Sequence, residues 1–214
     1  MPKEIEIKFR IEDLPALARA LRRAGFKQIT RSTHEMNALY DLPGQKLRKR
    51  DEMLRLRKYG ETWTLTHKAK SKAGRHKVRV ERETQVENGP QMDAILRVLG
   101  FAPTFRYEKY RAEWTDGTGH VVLDETPIGN FGEIEGPARW IDRTARALGI
   151  ARSDYITQTY APMFFEWKRR THSKATEMTF RALGKKSRSV SPPRRRVAEN
   201  CLAEPLEATA IHLF

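Results

Sequence analysis

Charged side chains recur at every second position in several segments of the chain, opposite apolar side chains. In residues 3–11, for example, glutamate and lysine alternate with isoleucine and phenylalanine. Arginine and lysine bind phosphate oxygens, and carboxylates bind hard divalent cations such as Mg²⁺. The residues with this spacing are Glu4, Glu6 and Lys8; Arg55 and Arg57; Lys68 and Lys70; Arg79, Glu81 and Glu83; Lys109 and Arg111; and Glu133 and Glu135, with Asp124 in the segment before the last pair.

What these residues can do depends on whether their segments form one sheet. A single pair of charges at i and i+2 is typical of a solvated strand face, because charged side chains are mostly exposed. Six such strands in one antiparallel sheet instead predict a closed barrel with a charged interior. Unpaired charges in a dry lumen would be unstable, so we expect a water-filled tunnel whose ligand carries both signs of charge. A polyphosphate bound together with a divalent cation has that character.

Period-two alternation and turn residues predict the strands that must position these side chains. The expected strands cover 3–11, a stretch near the end of 26–40, 53–59, 62–70, 77–87, 105–114, 120–126 and 131–136. Helical spacing of apolar residues predicts helices over 13–24, 90–99, 138–148 and 153–168. The predicted fold class is therefore α+β and mainly antiparallel β: a closed eight-stranded barrel with a charged lumen and helices packed outside.

The positive charge of the chain is concentrated near one end. The chain has 214 residues and a formal net charge of +14. Residues 168–196 contain 11 lysines and arginines against one acid, which accounts for +10 of that charge. The basic excess therefore does not by itself indicate nucleic-acid binding. We predict a barrel domain with flanking helices over 1–167 and a basic tail over 168–214, containing proline, serine and arginine and largely disordered.

Several classes of protein are excluded by composition and motifs. No apolar run approaches the roughly 18–20 residues of a membrane span, and the first residues, MPKEIEIKFR, lack the apolar segment of a secretory signal. The single cysteine, Cys201, excludes an internal disulfide. The histidines do not have zinc-site spacing, and P-loop and G-x-S-x-G motifs are absent. We expect a cytoplasmic protein without a membrane or nucleic-acid partner, and whether it forms a homodimer is left open.

The motifs on these strands resemble those of the CYTH superfamily, the triphosphate tunnel metalloenzymes. The segment Glu-Ile-Glu-Ile-Lys at 4–8 matches the ExExK signature of that superfamily. Further matches, in order, are Leu-Arg-Leu-Arg at 54–57, Leu-Thr-His-Lys at 65–68, the strand with Glu81 and Glu83, Glu-Lys-Tyr-Arg at 108–111, Val-Leu-Asp at 122–124 and Phe-Gly-Glu-Ile-Glu-Gly at 131–136. The resemblance covers about residues 2–165 and is strongest to the class IV adenylyl cyclase branch.

The resemblance implies roles for the matched residues. The acids that would hold Mg²⁺ or Mn²⁺ are Glu4, Glu6, Asp124, Glu133 and Glu135. The cations that would bind the triphosphate, together called the phosphate clamp, are Arg55, Arg57, Lys68, Lys109 and Arg111. The residues that would act in catalysis are Lys8, Glu81 and Glu83, of which Lys8 would fix the phosphate or its neighbouring carboxylates.

The same resemblance implies metal-dependent cleavage of a triphosphate substrate. In a class IV adenylyl cyclase, ATP is converted to cyclic AMP and pyrophosphate. The alternative is hydrolysis of tripolyphosphate, thiamine triphosphate or a nucleoside triphosphate, because one phosphate clamp serves both reactions; the motifs favour the cyclase only slightly. A non-catalytic polyphosphate-binding module is a further alternative, although a pure anion binder gains nothing from seven carboxylates near its phosphates.

Overall fold

Eight antiparallel strands close into a barrel in a computed structural model that describes residues 3–72 and 74–187. The strands follow one another around the barrel as β1, β5, β4, β3, β2, β6, β7 and β8, and β8 pairs again with β1. The predicted closed eight-stranded barrel is therefore confirmed. The strands are β1 (Lys3–Ile11), β2 (Lys27–Asp41), β3 (Met53–Tyr59), β4 (Thr62–Lys68), β5 (Lys77–Val86), β6 (Ala102–Thr115), β7 (His120–Thr126) and β8 (Gly129–Glu135).

Five α-helices lie outside the strands or at their ends. They are α1 (Leu14–Arg23), α2 (Lys46–Lys49), α3 (Gly89–Val98), α4 (Ala138–Ala147) and α5 (Tyr160–Thr171), with a short 3₁₀ turn at Arg152–Asp154. The prediction of one helix over 153–168 was wrong in its first half. Ile156 is instead extended and exchanges backbone hydrogen bonds of 3.0 and 2.7 Å with Lys8, because β1 has an unpaired edge there.

The second strand is longer than its sequence suggests. β2 has 15 residues, and polar residues interrupt the strand-like alternation in its first half. It pairs with β6 from Lys27 to Asp41, with register shifts between Gln28 and Thr30, between Thr30 and Thr33, and between Leu39 and Tyr40. Pairing with a long neighbour stabilises a strand whose own side chains have weak β preference.

The apolar strand faces point outward and are covered by helices. Ile7 and Phe9 of β1 belong to one buried cluster with Leu21 of α1 and with Trp140 and Ile141 of α4. A second cluster, around Leu56 and Leu96, lies between β2, β3 and β4 and α3. Because the helices bury the outer face of the barrel, the charged face of each strand is left to the lumen.

One end of the barrel is closed by aromatic side chains. Phe105 and Phe131 lie on the lumen-facing register of β6 and β8, and helix α5 packs across them. The Phe105 ring is 5.4 Å from that of Phe164, and the Phe131 ring is 5.9 Å from that of Tyr160. This aromatic plug makes the tunnel a pocket at the α5 end.

The chain continues to pack on the barrel after α5. The predicted domain boundary at 167/168 falls inside that helix. Met178 exchanges backbone hydrogen bonds with Arg106 and Glu108 of β6, and Met178 and Phe180 are both buried. Residues 188–214 of the predicted tail lie outside the described residues. Among the residues that are described, no helix has both the length and the hydrophobicity needed to cross a membrane.

Gly132 tests the packing between the barrel and its covering helices. A Cβ at Gly132 would lie 2.0 Å from the Phe9 ring, which is buried in the core. We expect Gly132→Ala to reduce the free energy of unfolding by about 1–3 kcal/mol, because the ring has to move out of a packed site. Urea denaturation measures this loss.

The matched control is Gly74→Ala, at an exposed loop position where the nearest atom to a new Cβ is the His76 carbonyl oxygen, at 3.5 Å. That substitution should leave stability unchanged or raise it slightly. Equal effects of the two substitutions would contradict the packing described for Phe9.

Candidate active site

A cavity of about 510 Å³ occupies the barrel lumen. Its wall contains every predicted site residue except Asp124. The predicted residues that line it are Glu4, Glu6, Lys8, Arg55, Arg57, Lys68, Glu81, Glu83, Lys109, Arg111, Glu133 and Glu135. Six strands therefore contribute charges of both signs to one space, as the alternation of the sequence predicts.

Asp124 lies behind the wall as the anchor of two cations. It has no exposed surface. Lys109 donates a hydrogen bond of 2.9 Å to one carboxylate oxygen, and Arg111 donates bonds of 2.8 and 2.7 Å to both. The Tyr160 hydroxyl donates a further bond of 2.6 Å. Asp124 therefore holds Lys109 and Arg111 in place and does not line the cavity.

Lys8 lines the cavity and is buried. Its ammonium group donates to Glu133, which also pairs with Arg111. Burial alone would lower the pKa of Lys8, but the carboxylates of Glu133 and Glu6 outweigh it and raise that pKa. Lys8 is therefore a permanently charged group at neutral pH, suited to bind an anion.

Two arginines form the opposite wall and keep unused donors. Arg55 donates to Thr66 at 3.3 Å, and Arg57 donates to Glu83 at 3.2 Å. Their Nε groups are buried and have no hydrogen-bond partner among the described residues. Lys68, on the neighbouring strand, pairs with Glu81 at 2.9 Å. Unpaired buried N–H groups are costly, so a hydrogen-bond acceptor such as phosphate would stabilise these arginines.

Negative charge is in excess where β1 meets β8. Glu6 lies directly opposite Glu135 in the strand register. Glu135 lies at the exposed end of β8, and partial desolvation together with the carboxylates of Glu4 and Glu6 raises its pKa to about 7. Burial also raises the pKa of Glu4, despite a 2.7 Å hydrogen bond from Lys68. Two like charges directly opposite each other destabilise a sheet, so this acidic cluster of Glu4, Glu6 and Glu135 favours a bound cation.

The acidic cluster has the donor chemistry that Mg²⁺ or Mn²⁺ requires. Carboxylate oxygens are the preferred ligands of these hard cations, and the raised pKa of Glu135 reflects partial desolvation and the negative charge of its neighbours. Glu4 and Glu6 accept hydrogen bonds from Lys68 and Lys77. Within residues 3–72 and 74–187, no group of three acidic, histidine or cysteine side chains is arranged to hold a metal ion. The carboxylates are of the right chemical type, and a cation bound here would have to take the place of these lysine contacts.

The sequence analysis missed Lys77, Tyr107 and Tyr160, which line the cavity, and Glu35, which is buried against Lys109 and Arg111 without lining it. Glu35 and Lys77 have a detectable signal: Glu35 alternates with apolar Met36 on β2, and Lys77 precedes Arg79 by two positions. Tyr107 continues the lumen register of β6. Tyr160 has no such signal, because it enters the cavity from a helix rather than from a strand.

Other charged residues of the pattern lie away from the cavity. Lys70 is exposed in the loop after β4. Arg79 is buried but pairs with Asp51 at 2.6 Å and does not line the cavity. Sequence spacing alone did not separate these positions from the lumen residues.

A closed antiparallel barrel whose ionic site lies inside the lumen defines a class of tunnel proteins. The particular family follows from the sequence: the model of the CYTH domain family matches residues 2–160, and the chain belongs to that family. A relative from Methanocaldococcus jannaschii, named "Putative adenylate cyclase", is 27% identical over 168 residues, which cover 73% of this chain and 95% of the relative.

Solved structures share the fold. A "putative adenylate cyclase" from Vibrio parahaemolyticus has a TM-score of 0.68 and 19% identity, and the match covers 76% of this chain and 97% of that one. A protein from Hippeastrum has a TM-score of 0.56 and 18% identity, over 78% of this chain and 96% of that one. The Hippeastrum protein is described as a "putative adenylyl cyclase" that "reveals a dominant" triphosphatase activity. At these identities the likeness concerns the fold.

Glu35 tests how far buried pairs stabilise the lumen. It is fully buried, 3.4 Å from the Lys109 ammonium group and 3.7 Å from Arg111. Burial alone would raise the pKa of Glu35, but Lys109 and Arg111 outweigh it and hold that pKa at about 2. We expect Glu35→Gln to lower the free energy of unfolding at pH 7 by about 3 kcal/mol, because two buried cations lose a partner.

The pH dependence of this loss follows from the sign of the pKa shift. The pKa of Glu35 lies below its ordinary value of 4.5, so its contribution is complete above pH 4.5 and declines as the pH falls toward 2. Urea denaturation of wild type and Glu35→Gln should show that the difference between their free energies of unfolding narrows as the pH falls from 4.5 toward 2. The control is Glu12→Gln, at an exposed position. A difference between wild type and Glu35→Gln that is independent of pH would contradict the pairing.

Proposed function

We propose that this protein cleaves a triphosphate substrate in the barrel lumen with the help of a divalent cation. The observation that carries the proposal is the uneven charge of the lumen: arginines with unpartnered buried donors face one part of the cavity, and the acidic cluster with Glu135 faces another. A ligand with phosphate oxygens and an accompanying metal ion satisfies both. The names of the relatives point to the same chemistry.

Each part of the lumen has a distinct task in this proposal. The phosphate oxygens are bound by Arg55, Arg57, Lys68, Lys109 and Arg111, with Lys8 adding positive charge. Glu81 and Glu83 orient the cations on their side, since they pair with Lys68 and Arg57. The metal would be held by Glu4, Glu6 and Glu135, with Glu133 next to them; it would neutralise phosphate charge. Asp124 keeps Lys109 and Arg111 in position.

Two reactions are compatible with this arrangement. In a cyclase, the ribose 3′-oxygen of ATP attacks the α-phosphorus, the bond to the bridging oxygen of the β-phosphate breaks, and pyrophosphate leaves. In a triphosphatase, water attacks the terminal phosphorus and orthophosphate leaves. The name of the Methanocaldococcus relative favours the cyclase, and the activity described for the Hippeastrum protein favours hydrolysis. We place the cyclase first and hydrolysis of tripolyphosphate, thiamine triphosphate or ATP as the second candidate.

An assay of products separates these reactions. The full-length protein is given ATP, thiamine triphosphate or tripolyphosphate with Mg²⁺ or Mn²⁺, and orthophosphate, pyrophosphate and cyclic AMP are resolved by chromatography. Cyclic AMP together with pyrophosphate supports the cyclase, and orthophosphate supports the triphosphatase. Binding of tripolyphosphate that survives chelation of the metal, without any product, would show a binding module and overturn the proposed catalysis.

Glu135→Gln tests the acidic cluster because it should weaken metal binding without lowering the stability of the protein. Removing one negative charge should weaken Mn²⁺ binding by at least tenfold in calorimetry and abolish metal-dependent turnover. The same change should leave the metal-free protein at least as stable as wild type in urea, because repulsion by Glu4 and Glu6 is relieved.

The control for this prediction is Glu87→Gln, at an exposed position after β5. It should change neither metal affinity nor turnover. Loss of stability in Glu135→Gln with unchanged Mn²⁺ affinity would mean that Glu135 is structural and that the metal lies elsewhere.

A further inference from the structure

Tyr160 joins the aromatic plug to the phosphate clamp. It is the first residue of α5, lines the cavity and is only 6% exposed. Its hydroxyl donates a hydrogen bond of 2.6 Å to Asp124. Its ring lies 4.7 Å from the ammonium nitrogen of Lys8 and 4.9 Å from that of Lys109. One side chain therefore contacts Lys8, Lys109 and Asp124, the carboxylate that holds Lys109 and Arg111.

A tyrosine suits this position for two physical reasons. Asp124 already accepts bonds from Lys109 and Arg111, and a phenol adds a donor without adding another charge. The face of an aromatic ring attracts ammonium groups, most strongly where water is excluded. The ring therefore offsets part of the repulsion between Lys8 and Lys109 while both keep their charge for an anion.

The backbone places Tyr160 relative to Lys8. The ladder between β1 and β5 ends at the pair Glu6 and Lys77. Beyond it, the free edge of β1 is taken by Ile156, through two backbone hydrogen bonds with Lys8. The segment that leads into α5 is thus attached at Lys8 itself. A shift of this segment would move the phenol ring and change the surroundings of both ammonium groups.

We propose that Tyr160 is a positioning residue that sets the placement of the Lys8 and Lys109 ammonium groups for binding phosphate. It acts through these lysines and through Asp124, without taking part in bond cleavage. The inference depends on the proposed function only in taking the lumen as a triphosphate site. It assigns the lysines to uniform binding of phosphate in the ground state and the transition state, and therefore predicts an effect on substrate affinity and not on the chemical step.

The test compares Tyr160→Phe with Tyr160→Leu and with the matched control Tyr155→Phe. Tyr155 is also a tyrosine bonded to an aspartate, donating to Asp142 at 3.4 Å outside the lumen. Calorimetry with tripolyphosphate and no added metal gives Kd without requiring turnover. Steady-state kinetics with the best substrate of the product assay gives KM and kcat separately, and thermal unfolding checks that each variant is folded.

Tyr160→Phe keeps the ring and should raise Kd and KM about five- to tenfold, with kcat within about twofold of wild type. Tyr160→Leu also removes the ring and should raise both constants about thirtyfold or more. Tyr155→Phe should leave them unchanged. Unaltered Kd in folded Tyr160→Phe, or a lower kcat at constant KM, would overturn the inference. If wild type turns over no triphosphate but the Kd differences appear, the proposed catalysis fails and the role of Tyr160 stands.

Discussion

Mutual neutralisation of buried charges is the constraint on which this barrel depends. Lys109 and Lys8 are 2% and 4% exposed, and Asp124 and Glu35 are fully buried. Removing such groups from water costs several kcal/mol for each ion, and only close opposite charges and hydrogen bonds offset that cost. The strands must therefore meet in a register that brings each cation to an acid. Their apolar faces consequently point outward, which is why α1, α3 and α4 have to cover the barrel.

Some of the places where neutralisation is incomplete lie in the proposed site. The pKa of Glu135 is raised to about 7 by partial desolvation and by its acidic neighbours, and the buried Nε groups of Arg55 and Arg57 lack acceptors among the described residues. Unsatisfied buried donors are costly in a protein that only has to fold. The proposed ligand, a triphosphate with its metal ion, would satisfy both sets, so binding and stability use the same charges.

Closure of one end by α5 makes the two ends of the lumen different. The charged wall extends from the acidic cluster at one end to the aromatic plug at the other. Tyr160 lies where the charged wall meets the plug. The match to the CYTH family model ends at this residue, yet the chain goes on to pack Met178 and Phe180 against β6. Some of the segment predicted to be a basic tail thus supports the barrel, although it lies beyond the family match.

The sequence by itself determined the faces of the strands, and through them the fold and most of the site. Alternation in Glu4, Glu6 and Lys8 assigns these residues to one face whatever strand lies beside them, because the side-chain period of a strand is two. The barrel and nearly all of its lumen residues follow from that rule. Only the tertiary structure decided which cation pairs with which acid. Alternation specifies neither the neighbouring strand nor the register, so Asp124 behind the clamp and Arg79 bound to Asp51 could not be foreseen. The position of Tyr160 depends on an extended segment before α5 that returns to β1 from far along the chain, and no local pattern records such a contact.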